Sequence, residues 1–326
     1  MSESLKLGIV GAGQISELMA RAGHEAAGVE VIGCTARSPE NAKRLAHDCA
    51  IDRIYQSFDE MLADDEIDAV YIATPNGLHP SQTLSALGAN KHVLVEKPMA
   101  LTEADAVEMA RAADRRELVL GVGFHVRHHA AIRELKRLLE TGAIGEPRLI
   151  RVSWGMNNLS SLAPWKNDPQ IAGGGAIMGI GVHVLDLCCW LLGREPAGIS
   201  AITDATPDQM DQIDLITMSF GDCLADIQVT RRFELHPNGI VVHGTDGSLA
   251  AEGALTMQPE GRLIGPDGNE LLSRSQSPYV LQLEAFAVAV HGGAHFHADG
   301  WDGVRSVRVT EAVQASSHSS PRAIAR

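Results

Sequence analysis

Three short stretches carry residue types and spacings suited to chemistry. In HVLVEKPMA, residues 92–100, a run that reads as a buried strand delivers Glu96, Lys97 and Pro98 to its own end. In LGIVGAGQIS, Gly11, Gly13 and Ser16 occupy the positions of a GxGxxG turn, with Gln14 and Ile15 between them. In GGGAIMGIGVHVLD, His183 sits in an apolar helical run, and Asp186 lies one helical turn further on. A lysine at a strand end can carry a proton to or from a reacting oxygen. The glycine turn brings backbone N–H groups and a helix N-terminus against a pyrophosphate, where a side chain would obstruct the approach. A lone histidine in an apolar helix is more often a core residue than a catalyst, so its spacing alone does not assign it.

The glycine turn follows a first strand and opens a helix, the context that dinucleotide binding requires. NAD sites usually place an acid at the end of the second strand, whereas this chain reads VIGCTARSPENA. Ala36, Arg37 and Ser38 leave room for a 2′-phosphate and supply a cation, so the expected cofactor is NAD(P)(H) with a lean to NADP. The bland alternative is that Arg37 is a solvated loop arginine. A further loop, YIATPNGLHP, puts Thr74, Pro75, Asn76 and His79 at the carboxyl end of another buried strand, where open parallel sheets collect ligands. Otherwise Pro75 and Asn76 simply turn the chain and His79 begins a helix.

These residues need elements to position them. Strand-like runs at residues 6–10, 29–34, 69–72, 92–95 and 118–122 alternate with helical patterns, which implies an α/β Rossmann domain with a parallel sheet over residues 1–123. The rest, residues 124–326, reads as an α+β domain: a helix, a strand around RLIRVSW, a glycine-rich helix, then strand candidates such as DLITMSF and LADIQVTRRF separated by turns at HPNG and TDGS. An open, largely antiparallel sheet with helices on one face is expected there. A chain of 326 residues exceeds what one core usually serves. The net charge of −14 argues against nucleic acid or an anionic membrane as partner, leaving a small molecule. Cysteines 34, 49, 188, 189 and 223 form no CxxC pair and read as reduced core residues of a cytoplasmic protein. No apolar run is expected to approach membrane-spanning length, and SSHSSPRAIAR reads as a frayed C-terminal tail.

Taken in order, GIVGAGQIS, ATPNGLH, HVLVEKPMA and GGGAIMGIGVHVLD resemble the Gfo/Idh/MocA family of NAD(P)-dependent oxidoreductases over essentially the whole chain. The resemblance implies that Lys97 lies beside the nicotinamide and the substrate hydroxyl, and that His183 hydrogen-bonds the substrate and exchanges its proton. Beside a cationic nicotinamide, a partly buried lysine loses its proton more readily than in water. Glu96 then orients or pairs with a neighbour. Family members commonly associate through the second sheet, which implies a homodimer or homotetramer. The stretch VHGTDGSL and the acid-free second-strand loop resemble the NADPH-using sugar-ketone reductases of the family.

One departure stands out. The family commonly reads Asp-x-Gly-x-His where this chain has Gly179, Ile180, Gly181, Val182 and His183. A carboxylate is lost four residues before His183, on the same helical face. The expected function is hydride transfer to or from a sugar, polyol or sugar-like ketone, with an acidic sugar favoured if Arg127 and Lys166 supply cations nearby. The alternative is a redox-neutral glycosidase that uses the nicotinamide transiently. Expected substrate contacts are His125, Arg127, Trp154, Trp165, Lys166, Gly179 and His183, with tryptophan faces for sugar C–H groups. His128 and His129 read as surface residues of the next helix. HGGAHFH lacks a cysteine or carboxylate to complete a ligand set, so no metal is expected.

Overall fold

Val-, Ile- and Leu-rich strands buried on both faces, each followed by a helix, can pair only in parallel with their crossovers on the sheet faces. The first sheet is of this kind in the computed structural model, which describes residues 4–206, 208–272 and 276–318. It comprises β1 (Leu5–Val10), β2 (Val29–Thr35), β3 (Arg53–Ile54), β4 (Ala69–Ile72), β5 (His92–Val95) and β6 (Leu120–Val122), all parallel, in the order β3-β2-β1-β4-β5-β6. Strand order reverses between β1 and β4, the switch point at which such sheets bind ligands outside their carboxyl ends. The strand expected at 118–122 is shorter at its start, and β3 is one that the sequence pattern did not reveal.

The second sheet runs β14-β13-β12-β11-β7-β10-β9-β8. Its strands are β7 (Pro147–Gly155), β8 (Gly198–Thr203), β9 (Ile213–Ser219), β10 (Leu224–Thr230), β11 (Gly239–Gly244), β12 (Ser248–Glu252), β13 (Arg262–Ile264) and β14 (Glu270–Leu272). Every pairing is antiparallel except β7 with β10. Alternation is clear on β9, where Ile216 and Met218 are buried while Leu215 and Thr217 are exposed. One face therefore packs and the other does not.

The compact units are not divided by a single cut. One comprises the described residues of Met1–Ala130, Met257–Pro259 and Ser275–Val304, and the other those of Ala131–Thr256, Glu260–Arg274 and Arg305–Arg326. In the first, the helix Pro278–Val290 packs on the helix Gln14–Glu25, and Glu284 accepts from the Ala27 N–H at 3.0 Å.

Two expectations are corrected. The stretch Pro169–Leu192 is long and apolar enough to cross a membrane by length and composition, but 83% of its most apolar window is buried inside the protein. Interspersed glycines and His183 had disguised its length. The expected tail begins inside the helix Gly300–His318, and its remainder, from residue 319, lies outside the described residues. All five cysteines are buried and free, and burial raises the Cys34 thiol to about 11.

Candidate active site

The glycine turn is built by one close approach. Gly11 has φ of +108°, and a Cβ there would lie 2.5 Å from the Ala73 carbonyl oxygen at the end of β4. Its N–H donates to Thr35 O at 2.9 Å, so the three strand ends meet at this residue. Gly13 caps the helix Gln14–Glu25, is exposed, and has nothing within 4 Å of where its Cβ would be. Gln14 is exposed, Ile15 is half-buried, and Ser16 is fully buried as the small packing residue. Open space before unpaired helix N–H groups suits a pyrophosphate.

Past β2, Arg37 is exposed and Ala36 is half-buried. The Ser38 hydroxyl instead caps the next helix, accepting from the Asn41 N–H at 3.3 Å and donating to Glu40 at 2.9 Å. Sequence reasoning overlooked Arg44, whose guanidinium donates to the Ala12 carbonyl at 3.3 Å and so brings a second cation to the glycine turn. Its place on the face of the helix Pro39–Asp48 was the available signal.

The loops after β4 and β5 are tied together by His79, which is fully buried. Its Nδ1 lies 2.8 Å from the Pro98 carbonyl and its Nε2 lies 2.9 Å from that of Thr74. Burial lowers its pKa. His79 thus positions both loops, and in the first of them Asn76 is buried while Thr74 and Pro75 are half-buried.

Glu96 and Lys97 part company at the end of β5. Glu96 is buried, and its Oε1 accepts the Tyr71 phenol at 2.5 Å while Oε2 accepts the Lys97 N–H at 3.2 Å. Lys97 stays half-exposed, ahead of a cis Lys97–Pro98 peptide. Tyr71 was missed because it looks like any aromatic of a buried strand. Burial and the Glu96 charge hold its phenol well above the ordinary value. Tyr279 was also missed; it shares that shift and stacks on His125 with ring centroids 4.6 Å apart.

Arg127, expected among the substrate contacts, is engaged with partners inside the protein. It is 2% exposed, donates to Asp302 Oδ2 at 2.7 Å and to the His297 carbonyl, and lies over the Phe124 ring. A buried guanidinium needs such pairing, so Arg127 fastens the chain after β6 to residues 297–302. His128 and His129 are buried rather than on the surface, and His128 stacks on Phe296 at 5.5 Å. The segment HGGAHFH does have a carboxylate neighbour, Asp299, 2.9 Å from His295 Nε2. No group of three or more ligand-type side chains that could hold a metal occurs among the described residues.

In the second unit the backbone widens into a π turn at Ile177–Gly181 before the helix Val182–Leu192, which carries His183 and the buried Asp186. Trp154, near the end of β7, tilts over His183 with ring centroids 5.5 Å apart. The neighbouring strand β10 ends at Thr230, paired with Gly155, so Arg231 enters the same region. A Cβ on Gly179 would lie 1.7 Å from Arg231 Nη2 and 2.2 Å from its Cζ. Arg231 was not singled out by sequence; its only signal was the glycine that makes room for it. Trp165 and Lys166 sit half-buried on the short segment Pro164–Asn167, the ammonium 5.5 Å from the indole centroid.

Asp211 anchors this region by accepting the N–H groups of Gly175 at 2.8 Å and Ile177 at 2.7 Å. Burial and the neighbouring Asp211 charge raise the Asp214 carboxyl to about 8. Because its folded value lies above the unfolded one, Asp214 contributes stability that is complete at acid pH and is lost as pH rises through about 8. Urea midpoints should therefore fall between pH 6 and 8.5, and Asp214→Asn should flatten that slope. An unaltered slope in the variant would remove Asp214 as its source.

Two family models match the chain: one described as an oxidoreductase family with an NAD-binding Rossmann fold, over residues 5–124, and the GFO/IDH/MocA C-terminal domain, over residues 132–250. The chain belongs to the Gfo/Idh/MocA family and is an NAD(P)-dependent oxidoreductase. A 1,5-anhydro-D-fructose reductase from Ensifer adhaerens is 33% identical, with 94% of each chain covered. A D-xylose 1-dehydrogenase [NADP(+)] from Haloarcula marismortui is 27% identical over 81% of this chain and 76% of its own. The crystal structure of an aldose-aldose oxidoreductase from Caulobacter crescentus, complexed with glycerol, superposes with a TM-score of 0.86 at 25% identity, covering 97% and 98% of the two chains.

Proposed function

We propose that the chain transfers a hydride to or from a hydroxyl-bearing carbon of a sugar, polyol or sugar-like ketone, with a preference for NADP. The observation that carries this reading is the division at the end of β5, where Glu96 is turned inward onto Tyr71 while Lys97 remains half-exposed. Lys97 gives or takes the hydroxyl proton, and the family resemblance assigns His183, which Trp154 overlies, a hydrogen bond to substrate. Gly11, Gly13 and the helix behind them would hold the pyrophosphate, and Arg37 and Arg44 would supply cations for a 2′-phosphate. When bound, the nicotinamide supplies the hydride acceptor or donor. The relatives named 1,5-anhydro-D-fructose reductase and D-xylose 1-dehydrogenase support the substrate class.

On this reading the chain up to residue 123 serves the cofactor, and residues 124–326 serve the substrate and self-association in the cytoplasm. Ile202 and Leu215, cross-strand neighbours on β8 and β9, are exposed on the open sheet face, as is Leu224 on β10, which supports a homodimer or homotetramer.

The test counts dinucleotide consumed per sugar converted, with NAD and NADP in parallel. One NADP per conversion is expected, and Arg37→Asp should weaken NADPH binding by about tenfold or more relative to NADH. Many conversions without net change in the dinucleotide would replace this reading by the redox-neutral glycosidase, which the missing carboxylate at Gly179 keeps in view.

A further inference from the structure

We propose that Arg231 is the specificity residue of this protein, an anion receptor that selects sugars or sugar ketones bearing a carboxylate or sulfonate. The inference rests on the oxidoreductase reading above and names the substrate class of that site. Three observations carry it.

The first is occupancy. Gly179 lies one turn before His183, and the Arg231 guanidinium fills the volume that a side chain at 179 would take, with Nη2, Cζ and Nε all within 2.6 Å of the ideal Cβ position. Substituting any other residue for Gly179 would displace the arginine, so glycine and guanidinium form a matched pair. Where the family resemblance leads one to expect a carboxylate, this chain presents a cation, and the sign of the charge beside His183 is reversed.

The second is incomplete pairing. Arg231 is 4% exposed, yet its Nε finds no hydrogen-bond partner among the described residues. Asp211 attracts it through space, but both oxygens of that carboxylate already accept backbone N–H groups from Gly175 and Ile177. Burial lowers the guanidinium pKa, opposed by the Asp211 charge, and an arginine keeps its charge in proteins. A buried cation with an unused donor is costly unless a second anion completes it.

The third is placement. Val229 pairs with Trp154 and Thr230 with Gly155, so the ends of two adjacent strands deliver Trp154 to His183 and Arg231 to Gly179. An aromatic face, an imidazole and a guanidinium thus gather at one end of the glycine-rich helix. A planar fork of N–H donors matches a carboxylate or sulfonate in two-point contact, which a lysine would not reproduce. Arg127 cannot fill this role, being bound to Asp302 and the His297 carbonyl.

The experiment uses the full chain with matched sugars, D-glucuronate against D-glucose and D-galacturonate against D-galactose, measuring kcat and KM separately with each dinucleotide. The wild type is expected to favour the acidic member in kcat/KM by roughly 10- to 100-fold, the range of a charge-assisted hydrogen bond. Arg231→Gln should collapse that ratio through the KM of the acidic sugar, and Arg231→Lys should restore part of it. NADPH binding, followed by fluorescence, checks that both variants fold. Equal use of both members by the wild type, or an Arg231→Gln loss that leaves the ratio intact, would overturn the receptor and leave the oxidoreductase reading standing. No nicotinamide-dependent conversion of any sugar would overturn both.

Discussion

Replacing Lys97 by Ala should lower kcat by about 10²- to 10⁴-fold, the contribution of a positioned proton carrier, while changing dinucleotide affinity only a few-fold. The split follows from the geometry at the end of β5. The glycine turn has supports of its own, Gly11 being held by Thr35 and by its approach to Ala73. Glu96 keeps its partner in Tyr71, so the strand end survives the loss. The pH dependence supplies an independent readout: the limb of kcat/KM assigned to the lysine should vanish in the variant. Full activity with an unchanged pH profile would remove Lys97 from the chemistry, whatever the fold.

Gly11→Val should act at the opposite end of the site, weakening dinucleotide binding by at least about tenfold, with a stability loss of roughly 1–3 kcal/mol. A branched side chain at φ +108° would be strained even in open space, and here its Cβ meets the Ala73 carbonyl at 2.5 Å. The contacting atom is backbone at the end of β4, so β1 and β4 would have to separate at the switch point. Gly13→Ala separates the two effects: its Cβ would meet nothing within 4 Å of the protein, so stability should be spared while the dinucleotide is still crowded. Titration of both variants with NADPH and a thermal melt check this, and a Gly11→Val protein that binds like the wild type would refute the close-approach argument.

Much of this was legible in sequence because local pattern and local structure agree in the parallel sheet. Strand-like runs ending at Val10, Ile72 and Val95 place Gly11, Thr74 and Lys97 just beyond them, at the carboxyl edge, whatever follows. Several of the failures share one physical origin, partners distant along the chain. Arg127 read as an available cation because Asp302 is 175 residues away. His128 and His129 read as surface residues because nothing nearby announces Phe296. Strand β3, two residues long, is too short to show an alternation. Arg231 left no trace of its own; only the glycine standing in for a carboxylate pointed to the space it fills.

The interleaving of the two compact units bears on how the protein is made. The nucleotide-binding sheet is complete by Val122, but the helix that packs on Gln14–Glu25, the aromatic that stacks on His125 and the carboxylate that neutralises Arg127 all lie at or beyond residue 278. A ribosome therefore has to synthesise past residue 302 before Arg127 can meet Asp302. Until then the emerging chain carries an uncovered helix face, a window in which a chaperone has something to hold. The same arithmetic argues against cutting the gene at the family-model boundary to obtain a free-standing cofactor domain.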